Sequence, residues 1–146
     1  MNLGDSGVVP RSSQINGALL LIRIASTLAF FYHGAAITFG AFGGPGPSRF
    51  AAFTHLPVAV AYLVGLAQLF GGLTMLTGVF IRVGALCIII VMLGAIFMVH
   101  LPHGFDIGHG GLEYALTQLL VAAALFMTGA GAYSLAPSLP ASLRKL

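Results

Sequence analysis

Residues 83–101 read VGALCIIIVMLGAIFMVHL, a continuous apolar stretch that contains no Asp, Glu, Lys or Arg. An α-helix rises ~1.5 Å per residue, so a stretch of this length is close to the ~30 Å thickness of the hydrocarbon core of a bilayer. Its residues do not alternate between apolar and polar, as they would in a strand of a membrane β-barrel. The stretch therefore predicts a transmembrane helix.

The rest of the chain has the same character. Only 6% of the 146 residues are charged and 58% are hydrophobic, whereas a soluble domain carries about 25% charged residues. This composition excludes a soluble globular domain and a disordered chain. The predicted helices cover residues 15–40, 58–80, 83–101 and 112–131. We therefore expect an all-α membrane protein, a four-helix transmembrane bundle formed by residues 1–146 as a single domain, with residues 132–146 as its tail.

Three connections join the predicted helices. Gly78 to Arg82 is a tight turn, so the second and third helices are predicted to be antiparallel neighbours. Residues 41–57 are rich in Gly and Pro and predict a long irregular loop. Residues 102–111 form a second loop, which is polar and rich in Gly.

The basic residues predict how the bundle faces. Four helices bring both termini and the 78–82 turn to one end, where Arg11, Arg82, Arg144 and Lys145 lie, whereas Arg49 is the basic residue of the opposite loops. By the positive-inside rule, both termini are cytoplasmic. The five histidines and the carboxylates other than Asp5 then belong to the outer half of the protein.

The outer polar residues suggest quinone chemistry. His33, His100 and Glu113 lie where three predicted helices reach the same level. An imidazole hydrogen-bonds a carbonyl and titrates near neutral pH, and a carboxylate accepts a proton. These three are candidate catalytic residues for quinone or quinol, and Tyr114 is one of the aromatic residues that can contact a bound ring. The alternative is that all of them are interfacial residues satisfied by water and loop backbone.

Two polar residues lie well inside predicted helices and are further candidates for binding a cofactor. Arg23 either extends its side chain back to the inner surface or binds a partner, an anionic head group or a cofactor carbonyl. Gln68 lies on one face of the second predicted helix, residues 58–80. Ala61, Gly65 and Gly72 lie on the same face, and we call this row of four residues the stripe. Small residues let helices approach closely in lipid, so we expect this stripe to pack on a neighbour, with the Gln68 amide hydrogen-bonded across the interface.

A metal site is a second chemistry for the outer cluster. His100, His103 and His109 offer imidazole ligands, but their spacing matches no standard site, and quinone is the favoured ligand. Cys87 is the single cysteine, so haem c and thiol–disulfide exchange are excluded. No nucleotide-binding fingerprint is present, and six scattered basic residues do not form a surface for nucleic acid.

A set of short motifs carries a family resemblance. In chain order they are LIRIA at residues 21–25, His33-Gly34, Gly71-Gly72, Gly78, Arg82, Met92, His100, Gly104-Phe105 and GLEY at residues 111–114. Over about residues 19–135 this ordered set resembles the DoxX family of small four-helix bacterial membrane proteins. The family is named for a membrane subunit of a quinone-linked, sulfur-oxidising oxidoreductase. The resemblance implies four helices in the bacterial inner membrane and a link to quinone chemistry.

Two positions depart from that family. Its members often have a Lys shortly after the His-Gly, where this chain has Ala36-Ile37-Thr38, and a Glu before the Gly-Gly, where it has Gln68. Either a buried ion pair has been replaced by neutral groups, or proton chemistry found elsewhere in the family is absent here.

Three functions follow as hypotheses. The first is a quinone-binding membrane subunit of an oxidoreductase, which is not self-sufficient and works with a redox enzyme as partner. The second is a non-catalytic membrane anchor for such an enzyme. The third is a small transporter built as a homo-oligomer, which is the weakest because four short helices enclose little space and no discontinuous helix pair is evident.

Overall fold

The computed structural model describes residues 12–140, 142 and 143, and these residues form helices and turns without any β-strand. The α-helices in this part of the chain are α1 (Ser12–Phe39), α2 (Gly46–Thr54), α3 (Val58–Thr77), α4 (Ile81–Ala95) and α5 (Glu113–Thr128). Beyond Ala95, α4 continues through a π-helical turn, Ile96–His100, and a 3₁₀ turn, Leu101–His103. The prediction of an all-α protein is confirmed.

Three helices are long and apolar enough to cross a membrane. They are α1 with 28 residues, α3 with 20 residues, and α4 together with its two extensions, Ile81–His103, with 23 residues. The fourth predicted span corresponds to α5, which has 16 residues. At ~1.5 Å per residue α5 is about 24 Å long, shorter than the ~30 Å hydrocarbon core. The structure thus contains three candidate spans and one shorter apolar helix.

Successive long helices are antiparallel, and each packs on the next. α1 packs along α3, α3 along α4, and α4 along α5. One end of the bundle carries His33, His100 and Glu113, and we call it the histidine end. The opposite end carries Arg23 and Arg82, and we call it the arginine end. Arg11, Arg144 and Lys145, which carry most of the orientation prediction, lie outside the described residues.

Small residues bring α1 and α3 into close contact. A Cβ atom built on Gly34 would come within 2.9 Å of the carbonyl oxygen of Gly65. Further along the interface, the hydroxyl of Thr27 donates a hydrogen bond to the carbonyl oxygen of Gly72 over 3.1 Å. The predicted packing role of the stripe on α3 is therefore confirmed.

The prediction that residues 41–57 form an irregular loop is wrong, because they contain α2. Pro47 lies in the first turn of this helix, where its fixed φ suits the helix and its missing N–H costs nothing. The helix ends at His55, whose backbone is left-handed with φ 57°. Gly and Pro in this segment mark the start of a short helix as well as the turns around it. α2 packs on α3 and α1.

Arg23 joins the ends of two helices at the arginine end. Its side chain is 1% exposed and donates to the carbonyl oxygens of Met75 (2.6 Å) and Leu76 (2.8 Å) in the last turn of α3. It also donates to the carbonyl oxygens of Ala130 (2.9 Å) and Tyr133 (2.6 Å), which follow α5. The last carbonyls of a helix have no partner within the helix, and a cation there also interacts favourably with the helix dipole.

Candidate functional site: a cavity at the histidine end

A cavity of about 760 Å³ lies at the histidine end, and residues from all five described α-helices line it. We call it the histidine-end cavity. Its walls are mostly apolar, with a small number of polar side chains among them. Both the volume and this composition are typical of sites that bind a small organic molecule.

The floor of the cavity is formed by Phe30, Gln68 and Met92, which are all buried. Gln68 is 4% exposed, and its amide makes no hydrogen bond with any residue that the structure describes. The prediction that this amide hydrogen-bonds to a neighbouring helix is therefore wrong among the described residues, because the side chain lines the cavity instead. Because the amide lines the cavity and has no partner among the described residues, it can hydrogen-bond a ligand that enters there.

The rim of the cavity carries His33, His100 and Tyr114. The ring centroids of His33 and Tyr114 are 6.1 Å apart. Nδ1 of His100 lies 2.7 Å from the carbonyl oxygen of Gly110. A carbonyl oxygen only accepts, so Nδ1 carries the hydrogen, and Nε2 of the neutral ring keeps a free lone pair. The tautomer of His100 is therefore fixed, and its Nε2 is a hydrogen-bond acceptor at the rim. The imidazole of His33 lies at the same rim.

The π-helical turn Ile96–His100 determines where His100 lies. Such turns are rare and occur often at functional sites. The sequence contains one signal for it, Pro102, which has no N–H for the carbonyl of Met98 and so cannot continue a regular α-helix. We did not predict this turn.

One wall of the cavity comes from α2, which was also missed from the sequence. Phe50, Phe53 and Thr54 line the cavity, while Arg49 on the same helix is exposed. Because residues 41–57 were interpreted as a loop, none of these side chains was a candidate. A helix placed here closes the cavity between α1 and α3 with aromatic side chains.

Glu113 lies close to the rim but does not line the cavity. Its carboxylate accepts a hydrogen bond from the backbone N–H of Ile107 over 3.2 Å. In the same loop, Asp106 accepts from the N–H of Gly108 and from Nδ1 of His109, each over 2.8 Å. These carboxylates hold the 102–111 loop in place, so the structure separates Glu113 from the two histidines with which it was grouped.

The three histidines of the hypothetical metal site bind different partners. His103 contacts the carbonyl oxygen of Val99 through Nδ1, over 2.9 Å, while His100 contacts Gly110 and His109 contacts Asp106. Among the described residues no three His, Cys, Asp or Glu side chains are grouped so that they could hold a metal ion. Arg23 is likewise apart from the cavity, at the arginine end.

Comparison with known proteins identifies the family. The family model DoxX matches residues 18–101, a segment that includes His33, Gln68 and His100. The chain belongs to the DoxX family. This DoxX-family chain is also 30% identical over 118 residues to the protein named "Putative oxidoreductase CatD" of Bacillus subtilis (strain 168), a match that covers 81% of this chain and 84% of that protein. No solved structure gives a significant match.

The two departures from the usual DoxX residues lie near each other in the structure. The hydroxyl of Thr38 is buried and has no hydrogen-bond partner among the described residues. The Gln68 amide also makes no hydrogen bond with a described residue, but it lines the cavity. Thr38 packs beside Gly65, which precedes Gln68 on the buried side of α3. Neutral groups therefore occupy both positions, and neither group satisfies the other.

Proposed function

We propose that this protein is a membrane component of an oxidoreductase system and binds quinone or quinol in the histidine-end cavity. The observation that carries the proposal is an apolar cavity with Gln68 at its floor and the imidazoles of His33 and His100 at its rim. The amide of Gln68 makes no hydrogen bond with a described residue. Membership of the DoxX family and the name of the Bacillus subtilis relative support a redox role.

The residues of the cavity fit the chemistry of a quinone. A quinone has two apolar ring faces and oxygen atoms on opposite edges of the ring. The amide of Gln68 can donate to an oxygen at the floor, and Nε2 of His100 can accept from a hydroxyl at the rim. The rings of Phe30 and Tyr114 supply aromatic surface between these polar groups.

The chain would bind and orient the ring, exclude water and exchange protons. A bound quinone supplies reversible two-electron, two-proton chemistry. The buried floor keeps water from the ring, and the imidazoles of His33 and His100 at the rim pass protons between the ligand and the solvent. Glu113 has no direct part in this proposal, because its carboxylate binds the 102–111 loop.

We further propose that the chain is a four-span bundle of the bacterial inner membrane with both termini in the cytoplasm. The distribution of basic residues in the sequence supports this orientation, which places the histidine end at the outer leaflet. A redox enzyme that associates with the chain would deliver electrons to the ligand or take them from it. The proposal of such a partner rests on the name of the relative.

The test is a binding titration of the purified full-length protein in lipid nanodiscs with a decyl-chain benzoquinone. The variant is Gln68→Leu, and its matched control is Gln118→Leu. Gln118 lies on α5 and has a buried amide oxygen without a partner among the described residues, but it does not line the cavity. We expect Gln68→Leu to raise Kd about tenfold, because it removes a buried hydrogen bond worth about 1.4 kcal/mol.

The control should bind quinone as the wild type does. Absence of saturable binding by the wild-type protein would overturn the proposal and would favour a non-catalytic anchor. Equal Kd values for the wild type and Gln68→Leu would show that the ligand binds elsewhere.

A further inference from the structure

The side of the cavity that faces the membrane is formed by one row of residues on the extended α4 helix. Ile90, Gly94 and Met98 follow one another at intervals of four residues, and all three line the cavity. Ile90 is 62% exposed and Met98 is 52% exposed. The same two side chains therefore face the cavity and the outside of the bundle, where lipid chains lie around a membrane helix.

Gly94 leaves a gap in this row. A Cβ atom built on Gly94 would meet no atom of the described residues within 4 Å beyond its own stretch of helix, so the space in front of it is open. Among the described residues, no side chain lies within 4 Å of this position to close the row between Ile90 and Met98. The same cavity reaches from this gap to Gln68, a residue that is 4% exposed and whose amide makes no hydrogen bond within the described part of the chain.

We propose that Ile90, Gly94 and Met98 form a lateral entrance through which the ligand enters from the bilayer and in which its hydrocarbon tail remains. The inference rests on the proposed function, because it places the ring of the ligand in the proposed quinone site. It further specifies the ligand as an amphiphile with a polar ring and a long alkyl or isoprenoid tail. The alternative route is entry of a tail-less ring from water, between His33 and His100.

The reason for this assignment is the chemistry along the path. From the exposed row to the floor, the lining passes from apolar side chains on the lipid side to one buried amide. A tail that stays in contact with Ile90 and Met98 remains in an apolar environment, and the ring alone reaches the polar groups. This gradient matches a molecule that is already dissolved in the membrane.

The experiment compares two benzoquinones with the same ring, one with a decyl tail and one without a tail, in nanodiscs of phosphatidylcholine. The variant is Gly94→Leu, which places a side chain in the gap, and the control is Gly17→Leu. Gly17 is a helical glycine of α1 whose Cβ would also meet nothing within 4 Å, and it does not line the cavity. Kd is given as the concentration of the ligand in the bilayer, which corrects for the different partitioning of the two quinones. A thermal midpoint within a few degrees of the wild type establishes that each variant is folded.

We expect Gly94→Leu to weaken binding of the tailed quinone at least about tenfold and that of the tail-less quinone less than about twofold, with no change in Gly17→Leu. Unchanged binding of the tailed quinone by Gly94→Leu, or an equal loss for both ligands, would overturn the lateral entrance and leave the quinone site standing. If the wild type binds neither quinone, the proposed function fails and this inference fails with it.

Discussion

The Nδ1 atom of His100 donates a hydrogen bond to the carbonyl oxygen of Gly110 over 2.7 Å. This bond connects the π-helical turn at the end of the extended α4 to the segment that leads into α5. It fixes the orientation and the tautomer of an imidazole on the rim of the cavity. The free Nε2 lone pair is therefore the only acceptor that the neutral ring can offer to a ligand.

The first prediction concerns this imidazole. His100→Leu should weaken binding of the decyl-chain benzoquinone about twofold to tenfold, the cost of one hydrogen bond of about 0.5–1.5 kcal/mol. The matched control is His103→Leu, because Nδ1 of His103 also donates to a backbone carbonyl, that of Val99, but its ring does not line the cavity. Titrations in nanodiscs measure both. A loss of equal size in the two variants would contradict the placement of His100 in the site.

The second prediction separates the stability role of Arg23 from ligand binding. Arg23→Met should lower the free energy of unfolding by about 3 kcal/mol or more, because four carbonyl oxygens lose charge-assisted hydrogen bonds. Arg49→Met is the control, since Arg49 is exposed on α2. Denaturant titration in detergent measures the change. An unaltered unfolding midpoint in Arg23→Met would show that these bonds do not support the fold.

The third prediction tests the close approach of α1 and α3. Gly34→Ala would bring a Cβ to 2.9 Å from the carbonyl oxygen of Gly65 and to 3.0 Å from the backbone nitrogen of Leu69, so the helices must move apart. Such overpacking costs about 1–3 kcal/mol. The control is Gly17→Ala, where the new methyl group meets no described residue within 4 Å beyond its own stretch of helix. We expect a lower thermal midpoint for Gly34→Ala alone, and equal midpoints for both variants would contradict the interface described here.

The fourth prediction follows from the cost of an unpaired amide. Gln68→Leu should leave the thermal midpoint of the ligand-free protein unchanged or raise it, because an apolar side chain replaces an amide that has no partner among the described residues and lies in a mostly apolar cavity wall. Differential scanning fluorimetry in detergent without quinone measures this. A fall of several degrees would indicate that the Gln68 amide stabilises the fold through a contact that is absent from the structure.

The sequence predicted the four apolar helices α1, α3, α4 and α5 well. A helix that lies in lipid needs a long segment without charged residues, and such segments can be recognised in a single sequence. The packing role of the small residues on α3 was also predictable, since small residues on one face of a membrane helix let a neighbour approach closely, but α1 was identified as that neighbour only by the structure. α2 was not predicted, because Pro47 marks the first turn of a helix as readily as a loop.

The partners of polar side chains could not be predicted. Arg23 binds carbonyl groups that lie as far as 110 positions away along the chain. Every residue has a backbone carbonyl, so the sequence does not show which of them accept a hydrogen bond from Arg23. The sequence predicts Glu113 to act together with His33 and His100, because all three lie at the same depth in the predicted bundle. Its carboxylate instead binds the backbone of its own loop, and only the three-dimensional course of residues 102–111 distinguishes these two roles.

The most direct test of the quinone site is photolabelling of the full-length protein in nanodiscs with an azidoquinone that carries a decyl tail, followed by mass spectrometry of the labelled peptides. We predict labels around Phe30–His33, around Gln68 and within residues 90–100, all of them suppressed by excess unlabelled quinone. Labels confined to other surfaces, or labels in these segments that excess quinone does not suppress, would contradict a quinone site in the histidine-end cavity.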